Sequence, residues 1–172
     1  MEKKLWLEEL AAFIVEANRN TYAADSGQVT PERKGYKELE YAQGLWRLRD
    51  SYTGYFRAPG MTTVYFNELP AWTMVYGGRG QHNDCLELVQ PTFDFLKAAL
   101  MKVSVEMPFR GPSEFTRGGW VYRFSLRRGD LSDFEGEEYI LRTFRPVFSQ
   151  IVFGGIVIPK DEHRNPQFPW NF

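Results

Sequence analysis

The chain has 172 residues, 21 basic against 22 acidic side chains and a single cysteine. That length lets one domain bury a core without staples. One cysteine excludes an intramolecular disulfide, and a balanced charge disfavours nucleic acid or an anionic membrane as partner.

Apolar residues make up 43% of the chain and aromatic ones 16%, so the surplus over an ordinary globular protein lies in rings. No apolar run approaches the roughly 18 residues that a span requires. Acidic residues interrupt the start, MEKKLWLEELAAFIVEANRN, which argues against a secretory signal. A cytoplasmic, bacterial-type protein is expected.

The first helix is predicted over Lys3–Asn18, within an N-terminal unit of residues 1–20. Trp6, Leu10, Phe13 and Ala17 recur at helical spacing there. Asn20–Arg33, with Gly27 and Pro31, reads as a loop. An aromatic meander follows over residues 35–78. Taking Gln43-Gly44 as a two-residue turn sets Tyr41 against Trp46 and Leu39 against Leu48. The other face then pairs Glu40 with Arg47 and Glu38 with Arg49.

Asp50 breaks the alternation, because it shares a face with Trp46, Leu48 and Tyr52. An unpaired carboxylate there costs several kcal/mol. It therefore needs water, or Lys37 opposite it, Arg49 or backbone N–H groups. A second hairpin, Met61–Phe66 and Pro70–Tyr76, turns at Asn67-Glu68. With an even loop, Met61, Thr63, Tyr65, Trp72, Met74 and Tyr76 share one face. Gly77-Gly78 ends it, ahead of a polar loop.

Residues 91–103 predict a second helix, with Phe93, Leu96 and Leu100 as its buried stripe. Pro108–Gly119 reads as a loop. A second meander fills residues 119–158: Trp120, Tyr122, Phe124 and Leu126 point in, Gly129-Asp130 turns, and strands follow at Glu137–Phe144 and Val147–Phe153. Residues 159–172 read as an irregular tail, and no internal period is visible. The order predicts one α+β domain, a curved antiparallel sheet of two meanders with two packed helices.

The pattern LEY..G.W..RDSY.G, then TTVYFN..PAWTM.Y.G, a helix FLK.AL and a following RGP, resembles an uncharacterised bacterial domain family. Its members look like stand-alone proteins or domains fused behind Xre-type helix-turn-helix regulators. The similarity spans Phe13 to Ile158. It is most specific at Arg49-Asp50-Ser51-Tyr52 with Gly54, and at Pro70-Ala71-Trp72 with Tyr76-Gly77-Gly78. The resemblance implies an architecture and a sensing or regulatory context, and carries over no catalytic residue.

Other chemistry has weak support. His82, Asp84 and Cys85 share one loop, and Asp161, Glu162 and His163 share the tail; neither set has the spacing of a metal site. Cys85 with His82 as nucleophile and base is disfavoured against a half-buried cysteine. Ser51 lacks a nucleophile-elbow context. Glu38 and Glu40 share a face, but their arginine partners keep both ionised. The glycines at 77–80 and 154–155 lack any phosphate-loop spacing and read as strand exits. Arg117, Arg123, Arg127 and Arg128 beside Trp120 and Tyr122 make a local basic strip only.

A pocket framed by aromatics remains. Its candidate ligand-binding residues are Glu38, Arg49, Asp50, Tyr52, Trp72 and Tyr76, flanked by Tyr55 and Phe56. The expected function is a small-ligand-binding or sensing module without catalysis, cofactor or metal. The alternatives are a small hydrolase- or transferase-like enzyme using Asp50 or Glu38, and a structural homodimerisation domain.

Overall fold

The computed structural model describes residues 1–80 and 86–172. The polar loop holding His82, Asp84 and Cys85 lies outside the described residues. The elements are α1 (Lys3–Asn20), β1 (Gln28–Val29), β2 (Tyr36–Gln43), β3 (Trp46–Thr53), β4 (Gly60–Phe66) and β5 (Leu69–Gly80), then α2 (Val89–Leu100), β6 (Glu114–Arg117), β7 (Trp120–Asp130), β8 (Asp133–Arg142) and β9 (Arg145–Ile156). Among the described residues the strands form one open antiparallel sheet in the order β1-β2-β3-β4-β5-β9-β8-β7-β6. The fold is α+β, with both helices on one face of a curved sheet. No helix among the described residues is long and apolar enough to cross a membrane.

The order has an internal symmetry that no sequence period announces. Each half is a helix followed by a meander, and the last strands of the halves, β5 and β9, pair at the centre. Each last hairpin turns on two residues of positive φ, Asn67-Glu68 and Thr143-Phe144. Each then runs through a proline, Pro70 or Pro146, into a one-residue bulge at Ala71 or Val147. Proline has no N–H to give the ladder, so the strand bulges beside it.

These turns and bulges correct the expected registers. The first hairpin turns on Gly44-Leu45, with Gly44 at φ 61°, instead of on Gln43-Gly44. Glycine at the first central position suits a type II′ turn. Partners shift by two residues while faces stay the same: Trp46 opposes Gln43, Leu48 opposes Tyr41, Arg49 opposes Glu40 and Asp50 opposes Leu39. The expected ion pairs survive as diagonals, Arg49 to Glu38 at 2.7 Å and Arg47 to Glu40 at 3.5 Å. In the second hairpin the bulge at Ala71 moves Trp72, Met74 and Tyr76 across, so they share a face with Thr62 and Val64.

Other boundaries also move. The segment read as a loop at 108–119 contains β6, whose Phe115 opposes Tyr122. The turn expected at Gly129-Asp130 falls on 131–132, where the Asp130 carboxylate accepts the Ser132 N–H at 2.8 Å. Gly77-Gly78 and Gly154-Gly155 continue β5 and β9 instead of ending them.

The helices close one face. Trp6 of α1 is fully buried between Trp46, at 5.4 Å, and Phe66, at 6.2 Å; Phe13 stacks on Trp46 at 5.6 Å. On α2 Leu96 and Leu100 are buried as expected, together with Val89, Thr92, Phe95 and Ala99. Phe95 stacks between Phe115 and Trp120 at 5.5 and 5.6 Å. Phe93 is only half-buried, beside Tyr55 and Phe148 at 5.7 and 5.9 Å.

Candidate functional site

Between the end of α1, the 3₁₀ turn Tyr22–Ala24, α2 and the sheet lies a cavity of about 480 Å³. That volume is in the range of small-molecule sites, about 300–1,000 Å³. Tyr22, Tyr52, Tyr55, Phe93, Phe109 and Phe148 wall it, and its floor is polar: Asp50, Thr62, Tyr76, Arg110 and Gln150.

The floor is built by parity. Asp50 sits on the inner face of β3 between Leu48 and Tyr52, directly opposite Thr62 of β4. Thr62 Oγ1 donates to Asp50 Oδ1 at 2.8 Å. Tyr76 reaches across β4 from β5, and its hydroxyl donates to the same carboxylate at 3.0 and 3.1 Å. This crossing requires Gly60, where a Cβ would run into the Tyr76 ring and Tyr52. Asp50 is thus held by two hydroxyls, and not by the Lys37, Arg49 or backbone partners expected; Lys37 opposes Tyr52. Burial pushes the Asp50 carboxyl above its ordinary range, and the Thr62 and Tyr76 hydrogen bonds and the charge of Arg110 only partly offset this. Burial, together with the charge of Asp50, lifts the Tyr76 phenol well above its usual value.

The far side of the floor comes from the second half of the chain. Arg110 donates from Nε to Glu138 Oε2 at 2.6 Å and from Nη2 to Glu138 Oε1 at 3.3 Å. Glu138 is fully buried on β8, and Gln150 of β9 adds a longer contact to it at 3.4 Å. Burial works against the guanidinium charge, but the charge and hydrogen bonds of Glu138 outweigh it and hold Arg110 above its ordinary range. The Arg110 guanidinium also lies over the Tyr76 ring at 5.5 Å, joining the two halves of the floor. Its Nη1 makes no hydrogen bond among the described residues.

Of the residues marked from sequence, Asp50, Tyr52 and Tyr76 come together here. Glu38 borders the cavity through its strand, but its carboxylate turns to the opposite face, where Arg49 at 2.7 Å and Ser51 at 3.1 Å donate to it. Burial works against the Glu38 charge; Arg49 and Ser51 overcome it and hold the carboxyl below its ordinary range. Arg49 points away from the cavity with Glu38 and Glu40. Trp72 is fully buried elsewhere in the core, stacked on Phe134 at 5.7 Å, with Nε1 donating to the Leu131 carbonyl at 2.9 Å. Phe56 packs on Gly80 instead of lining the cavity.

Sequence reading missed Arg110, Glu138, Gln150 and Thr62. The basic strip it marked is largely neutralised: Arg123 pairs with Glu114 at 2.8 Å, Arg127 with Glu137, and Arg128 with Asp133 at 2.9 Å. Among the described residues no group of three or more His, Cys, Asp or Glu is placed to hold a metal ion.

Residues 50–157 match the family described as a domain of unknown function, DUF5680. The match covers more than half of the chain, and the chain belongs to this family. The matched stretch runs from Asp50 through β9, so it holds every floor residue of the cavity, while Tyr22, Glu38 and Arg49 precede it. No curated protein and no solved structure matches the chain.

Proposed function

We propose that this chain is a small-ligand-binding module without catalysis, and that its site is the cavity over Asp50 and Tyr76. One observation carries the reading. In a core otherwise filled by stacked rings, a cavity of about 480 Å³ ends on a buried, interlinked set of ionisable groups. Burying such groups costs stability, and that cost is commonly met where function needs them. The sensing role that goes with domains carried behind Xre-type regulators is consistent with a site of this kind.

A second reading has one observation in its favour. A carboxyl pushed above its ordinary range, touching a tyrosine hydroxyl, is the equipment of a general acid. Against it, both hydroxyls donate to Asp50 and so favour its ionised form. No His, Cys or Lys hydrogen-bonds to Asp50 or Tyr76 among the described residues.

The test is a thermal-shift screen of small organic compounds on the wild type and Asp50→Asn. Compounds that stabilise the wild type should lose most of their shift in the variant, and each should be recovered chemically unchanged. Conversion of a binder that Asp50→Asn abolishes would move the assignment to catalysis. Shifts untouched by Asp50→Asn would remove Asp50 from the site.

The same variant has a pH signature. Asp50 ionises less readily in the folded chain than in the unfolded one, so folding binds the extra proton. Its contribution is therefore most favourable in acid and is lost as pH rises through the raised value. Asparagine cannot ionise. The thermal midpoint of Asp50→Asn relative to wild type should climb from about pH 4 upward and then level off. A difference that falls with pH would contradict this placement of Asp50.

A further inference from the structure

The buried floor holds two acids and one base. Glu138 already occupies two nitrogens of Arg110, at 2.6 and 3.3 Å. Asp50 receives only the neutral hydroxyls of Thr62 and Tyr76, at 2.8 and 3.0 Å. Each partner gives a dipole where a buried carboxylate is best matched by a full opposite charge. With Asp50 ionised, the floor is short of one positive charge.

The walls suit the same sign. The Tyr22 ring stands edge-on to Tyr52 at 6.0 Å and 88°, and both line the cavity. Ring faces at this cavity already hold cations: Arg110 lies over Tyr76, and Lys97 over Tyr22, both at 5.5 Å. The negative face of an aromatic ring attracts a cation, more strongly when both are shielded from water.

We propose that the cavity takes an organic monocation, a protonated amine on an aromatic or aliphatic body, with its nitrogen on Asp50 and its body against the tyrosine and phenylalanine walls. This rests on the ligand-binding reading above. On the floor an anion would find only Nη1 of Arg110 free, and it would lie beside two carboxylates. A neutral molecule would leave Asp50 with hydroxyl donors alone. The cation answers both the charge and the rings.

The charged and titratable groups around Asp50 leave room for this choice. Tyr52 neighbours it on β3, Tyr76 comes from β5, and Arg110, from the segment after α2, carries Glu138 behind it. Tyr22 and Asp25 approach from the 3₁₀ turn; Asp25 is occupied by Lys97 of α2. Lys37, exposed on β2, makes no ion pair among the described residues and stands at the rim opposite Tyr52.

Three probes with one body and three charges test the inference by calorimetry at neutral pH: tryptamine, tryptophol and indole-3-acetate. Tryptamine should bind the wild type at least tenfold more tightly than either of the others. In Asp50→Asn, checked for folding by circular dichroism, its affinity should fall to that of tryptophol, whose own affinity should stay the same. The ranking in the wild type stands as a test even if the variant does not fold. Equal or tighter binding of tryptophol or indole-3-acetate would overturn the cation, and so would a tryptamine preference that survives in Asp50→Asn. Both outcomes would leave a ligand-binding cavity in place. Binding of none of the three would overturn the inference too, and the ligand-binding reading would then stand or fall on the compound screen alone.

Discussion

Glu138→Ala is expected to destabilise the protein by about 3–5 kcal/mol, because it leaves a buried guanidinium with no counter-charge. Glu138 is fully buried, and the Arg110 side chain retains only 13% of its exposure. With Glu138 gone, the guanidinium is left largely buried and without a counter-charge. The loss belongs to the stranded charge and not to the pair as such, since a buried pair gains little over apolar groups of like volume. Arg110→Met with Glu138→Leu should therefore recover most of what Glu138→Ala loses. Urea denaturation of the wild type and these two variants decides it. A double variant as unstable as the single one would mean that the ion pair itself holds the two halves of the floor together.

Trp72→Ala is expected to cost about 3–5 kcal/mol, the range for emptying a large aromatic site in a packed core. Trp72 is fully buried, its ring stacks on Phe134 at an interplanar angle of 10°, and its N–H is spent on the Leu131 carbonyl. The substitution leaves both a void and an orphaned carbonyl acceptor. Since Trp72 does not line the cavity, this loss should be the same with and without a cavity ligand, once the ligand's own linkage is subtracted. A change in ligand affinity at Trp72→Ala with stability intact would put the residue back in the site.

The fold class was legible because it rests on periodicity. The stripe Trp6, Leu10, Phe13 and the alternation Tyr122, Phe124 stand out in any reading of the chain, and both pack as their spacing implies. Register was less legible because it rests on single turn residues. One glycine taken at the second instead of the first central position moves every partner in the first hairpin by two. One bulge at Ala71 reverses the faces of the second. That bulge has a sequence signal in Pro70, whose missing N–H disfavours a regular ladder.

The site was half legible for a related reason. Asp50 announced itself as a charge in an apolar row, and Tyr52 and Tyr76 came with it. Glu138 carries the same signal, lying in the row Phe134, Gly136, Glu138, Ile140, and so does Gln150 between Phe148 and Val152. The row of Glu138 could be read once its strand was known to begin at Asp133, four residues before the expected start. Arg110 had no such signal. It lies in an irregular segment, and only the tertiary fold carries its guanidinium under the sheet to Glu138.

A crystal structure of the protein grown with the best binder from the compound screen tests the cavity most directly as a ligand site. Density for that molecule is expected inside the cavity, with a polar atom within hydrogen-bonding distance of Asp50 and its body against Tyr22, Tyr52 or Phe109. A cavity closed by collapse of Tyr52 and Phe93 onto the floor, with the binder seated elsewhere, would contradict that assignment.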